Sequence, residues 1–176
     1  MPDLLIARPD ASEHAPYYSR YVDLVPSGDI LTTIATQIDG TLAELRKVSE
    51  ADSLKRYAPG KWSIREVMGH MIDTERVFAY RALRFARGDR KNLLSFEQDE
   101  YVATAQFDRR PWAGLLEEFE AVRRSNLLMF RALDDEAWAR QGVANGNPMS
   151  VRAAAYVIAG HELHHMNVLR EKYGVS

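Results

Sequence analysis

Three of the chain's five histidines fall within five residues, in the run GHELHH. His161 and His165 are one helical turn apart and project from a common face. That face also carries Ala154, Val157, Ile158, Val168 and Leu169, all apolar. A polar group buried there without a partner costs about 2–7 kcal/mol. The two imidazoles therefore need hydrogen-bonding partners in the core, or a metal ion that takes both ring nitrogens at once. The i,i+4 spacing is ligand spacing and favours the ion.

Catalytic sites for zinc and similar divalent ions commonly use three protein ligands and keep one position open. His70 is the best third candidate. It sits about 60° from the centre of another helical stripe, and alone it would pass for a half-exposed boundary histidine. His14, in a proline-rich segment, is a poor candidate. His164 lies about 90° off the stripe and reads as a surface residue or one standing behind the ligands. HELHH also satisfies H-E-x-x-H, the metalloprotease pattern in which the glutamate activates water. Only 11 residues follow His165, and no edge strand offers itself to a peptide, so the context argues against a protease. Glu162 remains either a general base beside the metal or a solvated helix glutamate.

These residues need helices to hold them. The final helix is expected over Val151–Tyr173, capped by Ser150. A second begins after Ser63, which forms a capping box with Glu66, and its stripe is Val67, Met71, Thr74, Phe78, Ala82 and Phe85. Upstream, Ser27 or Asp29 caps a helix with apolar residues at Ile30, Ile34, Ile38, Leu42, Leu45 and Val48. A third long helix, over 112–133, carries Leu115, Phe119, Val122, Met129, Phe130 and Leu133. Asn126 falls inside that stripe, either supporting the site or bonding a neighbouring backbone carbonyl. Residues 134–140 read as an extra turn and VANGNPM as a loop.

Residues 89–111 are too long for a simple link between neighbours; 97–104 could form a short helix, and Phe96, Asp99 and Tyr101 either overhang a pocket or belong to a solvated loop with one packed aromatic. Such a crossover lets two consecutive helices run parallel. Residues 1–26, with Pro2, Pro9, Pro16 and Pro26, read as an extended arm whose Tyr17, Tyr18 and Tyr21 pack down on the body. The expectation is an all-α four-helix bundle over 27–176 preceded by that arm.

With 176 residues, 46% hydrophobic and 27% charged, the chain fits one ordinary globular domain. A net charge of −2 gives no electrostatic reason to expect nucleic acid or an anionic membrane. There are no cysteines, which excludes disulfides, thiolate ligation and a cysteine nucleophile. MPDLLIARPDASEH does not have the form of a signal peptide, and no stretch approaches a membrane span. A cytoplasmic location is expected.

GKWSIREVMGHMIDTERVFAYRALRFARGD followed by GHELHHMNVL resembles the DinB superfamily of four-helix-bundle metalloproteins, over about residues 27–173. The resemblance implies an up-down-down-up bundle with a long crossover between helices 2 and 3. It implies a divalent metal, zinc or nickel most often, on His70, His161 and His165, and it implies a homodimer. Relatives include bacillithiol- or mycothiol-dependent S-transferases, a mycothiol-dependent maleylpyruvate isomerase and metal-dependent hydrolases. Isomerase-type relatives can carry Glu where this chain has His161, which counts against that activity. The expected function is a metal-dependent enzyme for a small molecule, a thiol S-transferase or a hydrolase, with a low-molecular-weight thiol as a candidate cofactor. The alternatives are a non-catalytic metal- or ligand-binding stress-response bundle and a purely structural one.

Overall fold

A computed structural model describes residues 6–176; Pro2, counted with the arm above, lies outside the described residues. Short 3-10 turns at Ala11–Glu13 and Pro16–Tyr18 lead into α1 (Ser19–Val22). Then come α2 (Ile30–Leu45), α3 (Ile64–Ala86), α4 (Gln98–Ala105), α5 (Trp112–Arg131) and α6 (Asp135–Ala139). A hairpin of β1 (Gln141–Ala144) and β2 (Asn147–Ser150) precedes α7 (Val151–Tyr173).

The caps are those the sequence spells out. Asp29 accepts from the Thr32 amide at 2.8 Å to start α2. Ser63 and Glu66 exchange hydrogen bonds of 3.1 and 2.9 Å at the head of α3, and Ser150 accepts from the Ala153 amide at 3.0 Å to start α7. Each pairs an amide that the helix itself leaves open.

The four long helices form a four-helix bundle, and side-chain pairs fix their directions. Gln37, Thr41 and Glu44 on α2 reach Ala159, Glu162 and Arg170 on α7, both numberings rising together, so this pair is parallel. Trp112 reaches the Leu45 carbonyl while Arg123 reaches that of Ile34, so α5 runs against α2. Arg65 meets Arg110 and Asn126 meets Glu75, so α3 runs with α5. The order is up-down-down-up. The segment 87–111, with α4 inside it, supplies the crossover between the two parallel helices.

The predicted stripes on α2 and α3 are buried, with Val48 half-buried beyond the end of α2. On α5 the stripe is rotated: Val122 and Met129 are half-buried, while Arg123 and Leu127 face the interior. Two other expectations are corrected. The VANGNPM segment is not a loop but the core of a hairpin, with Asn145-Gly146 in the two-residue turn at φ of 51° and 73°. A turn of that kind needs positive φ at both positions, which Asn-Gly supplies. Over residues 11–22 the arm is not extended but coiled into short turns and α1, and Ile6, Tyr21, Val22 and Val25 are buried in the core. Among the described residues no helix is long and apolar enough to cross a membrane.

Candidate metal centre

His70 on α3 meets His161 and His165 on α7. The Nε2 atoms of His70 and His161 are 3.0 Å apart, as are those of His165 and His161. The three donor atoms all lie within 4.8 Å of one another. Those separations bracket the distance of about 3.3 Å between ligands of a tetrahedral ion with bonds of about 2.0–2.1 Å. His70 is not half-exposed as its place on the stripe suggests. It is 3% exposed, with Trp62 against its ring at 5.0 Å.

Burial, and next the charge on His164, pushes the His70 imidazole down to about 4. Burial also holds His161 and His165 well below the ordinary imidazole range, reinforced at His161 by His165 and then His70, and at His165 by His70. Neutral rings are what a cation needs, because each keeps a lone pair free. Hydrogen bonding alone serves this cluster poorly. The Nε2 of His161 carries one proton or one in-plane lone pair, yet has two like neighbours. A divalent cation would satisfy all three nitrogens together, so the donor set fits such an ion.

Two glycines, each directly before a histidine of the cluster, let other segments close on it. A Cβ on Gly69 would lie 2.3 Å from the Phe107 ring of the crossover. One on Gly160 would lie 1.9 Å from the Tyr21 carbonyl of α1. The arm thus seats directly on α7, with the Tyr21 ring edge-on to His161 at 5.3 Å and to His164 at 5.4 Å. Burial, and then Tyr17, keeps the Tyr21 phenol above its usual range, so it stays a proton-bearing hydroxyl. His164 remains partly exposed, its ring against His165 at 5.0 Å.

His70 and His161 form one wall of a cavity of about 460 Å³. The arm contributes Tyr17, Tyr18 and Tyr21 to its lining; Tyr21 is buried in the core and Tyr18 packs against it, while Tyr17 is 53% exposed. The crossover adds Phe96, Glu97 and Asp99, and the hairpin adds Asn145 and Asn147. Tyr101 instead lies tilted against the Phe96 ring, with centroids 5.2 Å apart.

Glu162 is neither a base facing this cavity nor a solvated glutamate. It is 2% exposed and turned into the bundle interior. Arg123 donates to it at 2.6 Å and Thr41 at 2.5 Å. The same guanidinium grips Glu75 with two bonds of 2.9 Å and donates to the Ile34 carbonyl. Asn126 donates to Glu75 at 3.1 Å, not to a backbone carbonyl. Burial opposes the Arg123 charge, but Glu75 and Glu162 more than offset it and raise the group further. This knot draws on all four long helices. Its two carboxylates and one guanidinium leave a formal negative charge, and a void of about 10 Å³ touches both carboxylates and His161. Arg123 and Glu75 were not anticipated, although each interrupts an apolar stripe in the sequence.

A helical bundle with a crossover and a buried three-histidine cluster defines a class of small bundle proteins able to hold a metal. The DinB superfamily model matches residues 33–169, and the chain belongs to that superfamily. No curated protein matches it. Among solved structures it is similar to YfiT from Bacillus subtilis, described as a probable metal-dependent hydrolase with an unusual four-helix bundle topology. The identity is 15%, the TM-score 0.69, and the match covers 97% of this chain and 95% of that one. It is also similar to a mycothiol-dependent maleylpyruvate isomerase, at 13% identity and TM-score 0.66, covering 83% of this chain and 60% of the isomerase. These likenesses carry the fold.

Proposed function

We propose that the chain is a divalent-metal-dependent enzyme that acts on a small molecule in the 460 Å³ cavity, by transfer of a low-molecular-weight thiol or by hydrolysis. The observation that carries this reading is the meeting of three imidazole nitrogens within 4.8 Å of one another, two of them, on His70 and His161, belonging to residues of the cavity wall. In this reading His70, His161 and His165 hold the ion, zinc or nickel, while His164 and Asn126 steady the groups around it. A bound ion would supply Lewis acidity, lowering the pKa of a thiol or a water.

The chain's own residues do the rest. Tyr17, Tyr18, Phe78 and Phe96 offer aromatic faces to the apolar part of a substrate and displace water from it. Glu97 and Asp99 are the carboxylates on the cavity wall that can accept a proton from the attacking thiol or water. The Tyr21 hydroxyl can donate a hydrogen bond to charge building on the substrate. Glu162, tied to Arg123, holds the last helix in register so that His161 faces His70.

A non-catalytic binding module would be served better by a closed four-ligand shell. Three candidate ligands, among the described residues, favour an open position and therefore turnover. The reading includes a cytoplasmic homodimer in which the arm of residues 1–26 joins the 27–176 bundle at the interface; light scattering on the purified protein tests that part. For the activity, metal-loaded protein is incubated with bacillithiol, mycothiol or glutathione and an electrophile such as monochlorobimane, and separately with p-nitrophenyl acetate without thiol. Turnover in either arm, abolished by EDTA and by His161→Ala, is the expected result. No turnover in both arms, with metal present, leaves the binding module.

A further inference from the structure

Three carboxylates are buried among the described residues, those of Glu13, Glu75 and Glu162. Glu13 has a guanidinium to itself, that of Arg152, which donates to both of its oxygens. Glu75 and Glu162 share one, that of Arg123. Their other side-chain partners are neutral: Asn126 donates to Glu75, and Thr41 to Glu162. A guanidinium carries a single positive charge, so one negative charge is left over in the middle of the bundle. The two residues are only 4% and 2% exposed, which denies that charge the water that would screen it. A buried charge of this kind is costly unless an opposite one stands close by.

Its position says where the opposite charge belongs. Glu162 follows His161 on α7. Glu75 follows Thr74 on α3, and the Thr74 hydroxyl lies 3.4 Å from Nδ1 of His70. The void of about 10 Å³ is walled by His161, Thr74, Glu75 and Glu162 together. The rest of its wall is Met71, Phe119 and Ile158, all apolar, so little there weakens the field of the carboxylates at the imidazole. On the other side of that imidazole, three neutral rings would leave a divalent ion its full double charge. Glu75 and Glu162 stand outside the group of donor atoms that could reach such an ion. The histidine cluster and the ionic knot thus each lack the charge that the other would supply.

We propose that Glu75 and Glu162, through the charge that Arg123 leaves over, are the counter-charge of the metal centre. They are positioning residues that raise its affinity for a divalent cation without ligating it. This deepens the metalloenzyme reading and rests on its metal-binding part alone, not on turnover. Groups behind the ligands commonly tune a metal site in this way. Here the tuning comes from the imbalance of two carboxylates against one guanidinium, and Glu13 with Arg152 shows that the same chain builds a balanced pair elsewhere.

The test measures zinc affinity, by competition with a chromophoric chelator, in full-length wild type, Glu75→Gln, Glu162→Gln and Thr41→Val. Each glutamine keeps the side chain's shape and removes one charge. Thr41→Val keeps shape and charge and removes the hydrogen bond to Glu162. Both glutamine variants are expected to weaken zinc by about 10–100-fold, and Thr41→Val to leave it close to wild type. Either glutamine variant carries the test if the other does not fold. Cobalt(II) absorption on the same proteins reads the ligand set, and its band shape is expected to be the same in all four, because the three histidines still ligate. A changed band shape in a glutamine variant, meaning that the carboxylate ligates or that the ligands have moved, overturns the proposal. So does an equal loss of affinity in Thr41→Val. Zinc bound by wild type and held as tightly by both glutamine variants defeats the proposal alone, whereas a wild type that binds no zinc defeats it together with the metalloenzyme reading.

Discussion

Arg123 holds its charge at the centre of the bundle because two carboxylates surround it, and removing it strands both. Breaking a buried ionic set by deleting one member costs about 3–5 kcal/mol, whereas replacing the whole set is often neutral. Arg123→Met is therefore expected to lose about that much stability in urea unfolding, and Glu75→Gln/Arg123→Met/Glu162→Gln to lose less than the single variant. A triple variant weaker than the single one would contradict the account. The histidines give a second prediction at this scale. With metal removed, the folded protein holds His70 at about 4, below the ordinary 6.5, because of burial and then His164. Between those values the unfolded chain binds more protons, so stability is full above pH 6.5 and falls as the pH drops through the window, by up to about 1.4 kcal/mol per pH unit for one proton. Urea midpoints of EDTA-treated protein from pH 7.5 to 4 should show that fall, and His70→Gln should reduce it. A midpoint flat across the window in wild type would show that the imidazole is not buried neutral.

At the scale of elements, the site depends on how closely α1 and the crossover approach α3 and α7. Gly160 permits the first approach, and the atom its Cβ would strike is a backbone oxygen that cannot rotate aside. Gly160→Ala is expected to cost about 1–3 kcal/mol and to lift the arm, so that trypsin cleaves after Arg20 faster than in wild type. Unchanged stability and cleavage would mean that α1 does not sit where described. The ion pair between Glu13 and Arg152, at 2.7 Å, ties the same arm to the head of α7. The arm is thus a wall of the cavity as well as a cover for the core.

For the whole molecule, the sequence showed more of the scaffold than of the cavity. The stripes on α2 and α3, the caps at Asp29, Ser63 and Ser150, and the shared face of His161 and His165 follow from local spacing, which a helix converts directly into geometry; His70 as their partner rests on the need for a third ligand and on the family resemblance, since its own spacing marks only a boundary histidine. The hairpin was missed because its strands are four residues each and alternate weakly. Asn145-Gly146 was the signal to weigh more heavily. The buried charges were missed because Glu75, Arg123 and Glu162 look like solvated helix residues until it is noticed that each lies between apolar neighbours one turn either side: Met71 and Phe78, Phe119 and Leu127, Ile158 and Met166. Which of them pair depends on how four helices pack, and no single segment encodes that. The cavity draws on the arm, α3, the crossover, the hairpin and α7 together, so its walls emerge only in the assembled fold.

The central claim is that residues 70, 161 and 165 form one metal centre. Elemental analysis of protein purified under metal-replete conditions tests it most directly, with wild type beside His70→Ala and His161→Ala. The account predicts about one divalent ion per chain in wild type and most of it lost in either variant, with the helical circular dichroism retained. Equal, negligible metal in all three proteins would contradict it.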